Sequence, residues 1–336
     1  MMLNFGVVTI GRNEGQRLIN CLNSLRRNLP EATPIVYVDS GSVDKSCQKA
    51  RELGVLVVEL DTNTNFTAAR ARNAGFEKLL ELYPDLDYVQ FIDGDCELIE
   101  GWIEVAIATL ANNSEVVAVC GWRKEKYPKM SIYNRICDME WHMGNVGEIA
   151  NFGGEVMIRA SAFQKVGGYD NSVIAAEDDE LAVRLRQTGG KLVRIDQDCS
   201  LHDANMHSLG QWWQRIKRSG YAYAQVAQMH GKRPERKFVG ELQRLFFWGL
   251  IVPAIALGFA WATKGLSLLL LLRYPLSALM VTYKSRLKQF SLAESTAWGL
   301  ACAFSPFPGL LGAIKYYLDR WRKREHKIIE YKNASV

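Results

Sequence analysis

The residues best suited to chemistry are two aspartates separated by one glycine, Asp93-Gly94-Asp95, at the end of the apolar run Tyr88-Val89-Gln90-Phe91-Ile92. The run has the length and the β-forming residues of a buried central strand, so both carboxylates emerge together at its C-terminal end. Open α/β sheets place their ligands at that edge. Two carboxylates this close repel each other unless a cation sits between them. Hard oxygen ligands on a short turn suit Mg2+ or Mn2+, with bound phosphates completing the shell. The same tripeptide is also an ordinary turn, so the chemistry depends on what else the chain brings to that edge.

The flanking elements decide this. Phe5 to Ile10 reads as a first buried strand, and Gly11 to Gly15 as the loop that leaves it. Gln16 to Asn28 is a helix with Leu18, Cys21, Leu22 and Leu25 on one face. Strands over Pro34 to Val38 and Val55 to Leu60 follow, with a helix beginning near Asp44 and another over Thr67 to Leu82. The Ser and Asp residues of Asp39-Ser40-Gly41-Ser42-Val43-Asp44 can cap the helix near Asp44. This alternation predicts an α/β fold with parallel crossovers in a doubly wound sheet. Loops after the first, second and fourth strands then share one edge, where their polar residues converge. Farther on, Trp102 to Leu110 reads as a helix, and Val116 to Cys120 and Glu155 to Arg159 as strands. An amphipathic helix with Leu181, Val183 and Leu185 follows Glu177-Asp178-Asp179, and a short strand precedes His202-Asp203. Trp122 to Ala150 has no clean period and is expected to lie over the site as a mobile or acceptor-shaping segment, with Trp141 as a candidate acceptor contact.

The order Thr9-Ile10-Gly11-Arg12-Asn13-Glu14, Asp39-Ser40-Gly41-Ser42-Val43-Asp44, Ala69-Arg70-Ala71-Arg72-Asn73-Ala74-Gly75 and Asp93-Gly94-Asp95 resembles the nucleotide-sugar half of family 2 glycosyltransferases with the GT-A fold. The resemblance continues through Gly153-Gly154-Glu155-Val156-Met157-Ile158-Arg159, Gly167-Gly168-Tyr169-Asp170 and Glu177-Asp178-Asp179-Glu180-Leu181, over roughly the first two thirds of the chain. It implies a Rossmann-like, mostly parallel catalytic domain and an inverting, metal-dependent transferase. By that resemblance Asp39 accepts from a base N–H, Glu14 and the loop Thr9 to Arg12 hold base and ribose, and Arg72 and Arg70 balance phosphate charge. Asn13, Gly41, Asn73 and Gly94 complete the donor-side set. Asp95 becomes the direct ligand of Mg2+ or Mn2+, Asp93 a ribose or water-mediated metal contact, and His202 a further metal ligand. Gly154 lets the backbone approach the sugar. Inverting transfer needs one carboxylate to take the acceptor proton. The Glu-Asp motif assigns that role to Asp178, with Glu177 and Asp179 as its one-residue neighbours; acidic residues at a helix start are favoured by the dipole in any case. Ser40 stands where the family often has aspartate, which leaves the base open. Gln211 is followed by Arg215 and by no later tryptophan, so the Gln-x-x-Arg-Trp of processive synthases is missing. Arg215 and Arg218, three apart on one helix face, could meet a diphosphate or a lipid phosphate.

Composition supplies the setting. The 336 residues are 48% hydrophobic and 23% charged, enough for one large domain of residues 1–230 and an appendage, joined by a basic linker over 231–244. Seven scattered cysteines without CxxC spacing read as reduced thiols, and Met1 to Asn4 leads into a strand with no signal-peptide pattern. From residue 245 to 336 the chain is expected to be membrane-associated, with apolar helices over 245–263 and 265–283 and a third, 295–314, broken or re-entrant at Pro306 and Pro308. Lys264 sits at the tip between the first two. Lys284, Arg286 and Lys288, and the basic run that includes Lys327, place the flanks in the cytosol. The net charge of +5 and the absence of any helix-turn-helix, zinc-finger or RNA-binding signature argue against nucleic acid. A dinucleotide oxidoreductase would need a GxGxxG turn, which Gly11-Arg12-Asn13-Glu14-Gly15 lacks. The expected activity is transfer of one sugar, from a UDP-sugar first of all, to a lipid-linked or cell-surface glycan at the cytosolic membrane face. A polyprenyl phosphate acceptor and a catalytically silent membrane scaffold are the alternatives.

Overall fold

A computed structural model describes residues 4–232, 234–324 and 329–330. Residues 1–3, Arg233 and Lys327, which entered the readings of the N-terminus, linker and basic tail, lie outside the described residues. The chain divides into two compact units: Met1–Lys126 with Trp141–Ala204, and Tyr127–Glu140 with Asn205–Val336.

The first unit runs β1 (Phe5–Gly11), α1 (Gln16–Asn28), β2 (Ile35–Asp39), α2 (Ser46–Glu52), β3 (Leu56–Glu59), α3 (Ala68–Leu82), β4 (Tyr88–Asp93), β5 (Cys96–Leu98), α4 (Trp102–Asn112) and β6 (Val116–Glu125). After α5 (Ile132–Trp141), most of which belongs to the second unit, come β7 (Gly147–Glu148), β8 (Val156–Arg159), α6 (Ala160–Lys165), α7 (Glu177–Gln187) and β9 (Lys191–His202). The sheet order is β3-β2-β1-β4-β8-β6-β9-β5, with β7 on β9. Strands β1 to β4 are parallel, as their helical crossovers require. β8 runs antiparallel to both β4 and β6, β6 is parallel to β9, and β5 and β7 are antiparallel to β9. The whole sheet is therefore mixed, where a mostly parallel one was expected.

One face of the sheet packs against α1 and α4, the other against α3 and α7. Leu18, Cys21, Leu22 and Leu25 of α1 are fully buried, and each buried leucine contributes about 1.5–3 kcal/mol. Gln90 is fully buried inside β4, and the Trp102 indole donates to its side-chain oxygen at 2.9 Å, which satisfies both polar groups. α2 starts at Ser46, whose amide donates to Asp44 Oδ1 at 2.9 Å, so Asp44 serves the helix start as expected, while Asp39 accepts from the Gly41 and Ser42 amides instead. β9 is twelve residues long rather than short, and Trp122 to Glu125 extend β6. The stretch expected to be without regular structure thus supplies a strand end, α5 and β7.

The second unit adds α8 (Leu209–His230), α9 (Val239–Phe246), a π-turn (Phe247–Ile251), α10 (Val252–Gly258), a 3-10 segment (Leu266–Leu272), α11 (Arg273–Leu287), α12 (Leu292–Phe304) and α13 (Pro306–Trp321). α8 opens on a capping box between Ser208 and Gln211. It packs so closely on α13 that a Cβ at Gly220 would overlap the Gly309 carbonyl, and one at Gly312 the Lys217 carbonyl. Among the described residues, three helical runs are long and apolar enough to cross a membrane: Val239–Gly258 (20 residues), Leu266–Leu287 (22) and Leu292–Trp321 (30). The first begins inside the stretch read as a linker. Lys264 lies in the turn between the first two, with φ of +53°. The third run is broken at Ser305, as expected beside Pro306: α12 ends at Phe304 and α13 opens on Pro306, whose missing N–H leaves the Cys302 carbonyl to accept from Ser305 Oγ at 3.0 Å. Trp261, Leu266 and Leu279 face outward, as lipid-facing residues do.

Candidate functional site

Arg72, in α3, is almost completely buried at 2% exposure. A buried guanidinium needs counter-charges, and three elements supply them. Its Nη1 donates to Glu177 Oε1 at 2.6 Å, its Nη2 donates to Asp93 Oδ1 at 2.8 Å, and Asp178 Oδ1 stands 3.7 Å away. The Tyr169 ring covers it at 5.4 Å. These carboxylates, 105 residues from the arginine in the case of Glu177, converge because β4 ends and α7 begins over the start of α3. Ala176, the residue before α7, has φ of +58°. That left-handed conformation costs a non-glycine residue energy and is held in place by its surroundings. It turns the chain so that Glu177 is buried while Asp178 remains 15% exposed.

Asp178 accepts from the Tyr169 hydroxyl at 3.1 Å. Burial pushes its pKa up to about 8; Arg72 pulls the other way, while Glu177 and Asp93 add to the rise. Burial also raises the Tyr169 hydroxyl well above its ordinary value, so it stays a donor. Asp179 follows on the same first turn. Glu180 is held by Arg184 at 2.5 Å and is out of contention. Gly154 is needed here: a Cβ would stand 2.6 Å from Arg72 and 2.8 Å from Asp93, so the glycine makes room for that ion pair.

A second cluster forms where β5, β9 and β6 lie side by side. Asp95, Cys96 and His202 bring their ligand atoms within 4.8 Å of one another, and all three are buried. His202 Nε2 is 3.5 Å from Asp95 Oδ2, and the Trp141 ring stands edge-on to the imidazole at 4.8 Å. The Asp95–His202 spacing is long for a hydrogen bond yet near the ~3 Å between neighbouring ligands of one small divalent ion. Buried His202 Nδ1 has no hydrogen-bond partner. The Cys96 thiol donates to Glu155 at 3.1 Å. Burial raises its pKa well above the ordinary value, with Glu155 adding to the rise, so without a metal the sulfur is a neutral donor beside a candidate oxygen–nitrogen pair. That pair fits Mn2+ or Mg2+. Asp93 is not among the grouped residues; its carboxylate meets Arg72.

The loops after β1 and β2 are bonded to each other. Asn13, with φ of +54°, donates its N–H to Ser42 Oγ at 2.8 Å and accepts from the Val43 N–H at 2.8 Å. Asp39 accepts from the Gly41 and Ser42 amides at 2.9 and 2.7 Å and from the Tyr37 hydroxyl at 2.7 Å, so this carboxylate builds the loop around itself. Arg12 lies over Phe66 at 4.8 Å, and Glu14 pairs with Arg17 at 2.8 Å. Arg70 donates to the Asp61 carbonyl at 3.0 Å, and Asn73 to the Tyr169 carbonyl at 2.8 Å. Both side chains thus fasten loops beside the site. Thr9 is fully buried against Cys21, which leaves only its neighbours in the loop to meet a ligand. Gly94 lets its turn close on β1, since a Cβ would come 2.9 Å from the Ile10 carbonyl. In the second unit Arg215 donates to Glu140 at 2.7 Å, and Arg218 follows on α8. Sequence reasoning passed over Cys96, Tyr169 as a partner of Asp178, and Ala176. Only Tyr169 carried a signal, as part of Gly167-Gly168-Tyr169-Asp170.

Comparison with known proteins agrees with this geometry. The profile described as glycosyl transferase family 2 matches residues 7–167, and one described as the N-terminal domain of galactosyltransferase matches residues 143–208. The succinoglycan biosynthesis protein ExoA of Rhizobium meliloti is 28% identical over 215 residues, 60% of this chain and 64% of that protein. The match thus spans less than two thirds of that relative. The glucosyl-dolichyl phosphate glucuronosyltransferase of Haloferax volcanii is 27% identical over 124 residues, 32% of this chain and 40% of that one. Among solved structures, the mannosyltransferase PcManGT of Pyrobaculum calidifontis, in complex with GDP-Man and Mn2+, has a TM-score of 0.59 at 16% identity, covering 94% of this chain and 88% of that one. Residues 1–349 of S. aureus TarS in complex with UDP-GlcNAc give 0.54 at 12% identity, covering 99% of this chain and 98% of that fragment, whereas the longer TarS chain is covered to 44%. On the matched segment and the shared fold, this chain carries a family 2 glycosyltransferase domain of the GT-A type, followed by helices long and apolar enough to cross a membrane.

Proposed function

We propose that the protein is an inverting glycosyltransferase that moves one sugar from a nucleoside diphosphate sugar to a lipid-linked glycan at the cytosolic face of a membrane. The observation that carries this reading is the convergence of Asp93, Glu177 and Asp178 on buried Arg72, with Asp178 the more exposed of the α7 pair. Asp178, whose pKa burial raises to about 8, is suited to take the proton of the attacking hydroxyl. Arg72 and Tyr169 orient it, and Glu177 holds Arg72 in place. Asp95 and His202 would hold Mn2+ or Mg2+, which supplies positive charge for the departing diphosphate. The loops fastened through Asn13, Ser42 and Asp39 form the nucleotide side. A UDP-sugar is the first donor to try, with GDP- and dTDP-sugars beside it.

The lipid part of the acceptor is supported by a hollow of about 410 Å³ in the second unit, lined by Ile132, Ile136, Trp212, Trp213, Leu300 and Phe304 among other apolar residues. It is of ligand size and borders α12, part of the longest apolar run. A polyprenyl phosphate acceptor is the second reading, supported by the likeness to the glucosyl-dolichyl phosphate glucuronosyltransferase of Haloferax volcanii. The test is a calorimetric panel of UDP-, GDP- and dTDP-sugars with and without Mn2+, followed by transfer assays on lipid-linked oligosaccharide and on polyprenyl phosphate. Neither binding nor turnover of any donor with Mn2+ or Mg2+ would favour a silent scaffold and end this reading.

A further inference from the structure

Glu125 is the last residue of β6, and the sheet register pairs it with His202 on β9, while Cys96 on β5 pairs with His202 from the other side. Directly paired residues in adjacent strands project to the same face, so the imidazole lies between its two neighbours by construction. The register is locked at this point by the Lys126 amide, which donates to the His202 carbonyl at 2.8 Å. The Glu125 side chain has no exposed surface, and its Oε2 lies 3.5 Å from His202 Nδ1, the nitrogen facing away from Asp95. The same Oε2 accepts from the Ala204 amide at 3.1 Å, which fixes the carboxylate just beyond the end of β9. Burying a carboxylate at no exposure is costly unless it serves a partner.

Resting on the cation reading of Asp95 and His202, we propose that Glu125 is a positioning residue for that site: its carboxylate directs the Nδ1–H of His202 and leaves the Nε2 lone pair toward Asp95 for a divalent cation. A ligating imidazole commonly gives its second nitrogen to a carboxylate in this way, which fixes the tautomer and strengthens the ligand. His202 Nδ1, buried and without a hydrogen-bond partner, is the atom that would close onto Glu125 as the ring is drawn to a cation.

The test is Mn2+ affinity, read from the electron paramagnetic resonance signal of free Mn2+, on the full chain in detergent, with Mn2+ alone and again with UDP. Glu125→Gln keeps an oxygen for the Ala204 amide but loses the charge. It is expected to weaken Mn2+ roughly 10–100-fold, with the unfolding temperature of the metal-free protein unchanged. Glu125→Asp keeps the charge and should bind Mn2+ more tightly than Glu125→Gln. In a His202→Ala background Glu125→Gln should cause no further loss. Equal Mn2+ binding by wild type and Glu125→Gln, or equal weakness of the Gln and Asp variants, overturns the role of Glu125 and leaves the Asp95–His202 site standing. No Mn2+ binding by wild type under either condition overturns both.

Discussion

Arg72→Met tests the arrangement at its centre. The substitution replaces a buried cation by a side chain of similar length and leaves Glu177, 8% exposed, and Asp93, 28% exposed, facing each other without a counter-charge. Removing one partner of a buried ion pair costs about 3–5 kcal/mol, because the other charge stays buried and unpaired. For a unit of this size that is a fall in unfolding temperature of roughly 6–20 °C. The loss should depend on pH in a definite sense. The Asp178 carboxyl, raised by burial with Arg72 pulling the other way, rises further once Arg72 is gone, so protonation favours the native state. The stability it contributes is full below the unfolded pKa and is lost as pH rises through the folded one. The deficit of the variant relative to wild type should therefore shrink as pH falls from 8 towards 5. Arg70→Met, which removes only contacts to loop carbonyls, is the comparison. Thermal unfolding of the full chain in detergent, followed by tryptophan fluorescence across that pH range, gives the reading. A loss no larger than that of Arg70→Met, or one that grows as pH falls, would refute the claim that Arg72 holds these carboxylates together.

Further expectations concern activity, packing and the membrane. Asp178→Asn should keep donor affinity and lose transfer by roughly 100-fold or more, and wild-type turnover should rise with pH towards about 8 as Asp178 gives up its proton; unchanged turnover in the variant removes Asp178 from the base role. Gly154→Ala should push Arg72 and Asp93 apart and destabilise by about 1–3 kcal/mol in urea unfolding, and a neutral result would mean the pair can shift at no cost. EDTA should abolish transfer and Mn2+ restore it, with His202→Ala needing more Mn2+ for half-maximal rate; full activity in EDTA speaks against a metal at this site. Alkaline carbonate should leave the full chain in the membrane pellet, whereas release to the supernatant would contradict a spanning reading.

The first half of the fold was legible because its signals are local. The leucines of Gln16–Asn28 recur at helical spacing, and that helix was expected at the bounds observed; the β-branched and aromatic run ending at Asp93 forms the central strand as read. The antiparallel β8 between β4 and β6 was not legible, since nothing inside Val156–Arg159 marks direction. The candidate site divides in the same way. Asp95 and His202 were singled out together and meet in space. Arg72 was expected to face phosphate, yet its nearest anions are Glu177 and Asp93; a helix arginine looks the same in sequence whether it points at a ligand or at a carboxylate 105 residues away. Glu125 had no signal at all, because its meaning comes from a cross-strand register interrupted by irregularities between Cys120 and Arg123.

The crossing of α8 and α13 has a mechanical consequence. With Gly220, Gly309 and Gly312 bringing main chain against main chain, sliding either helix by one residue would drive a side chain into a carbonyl, so the pair has a single allowed setting. Any tilt or vertical travel of the Pro306–Trp321 rod in a bilayer is therefore handed directly to Leu209–His230. Trp212, Trp213 and Arg215, on that same helix, would move with it.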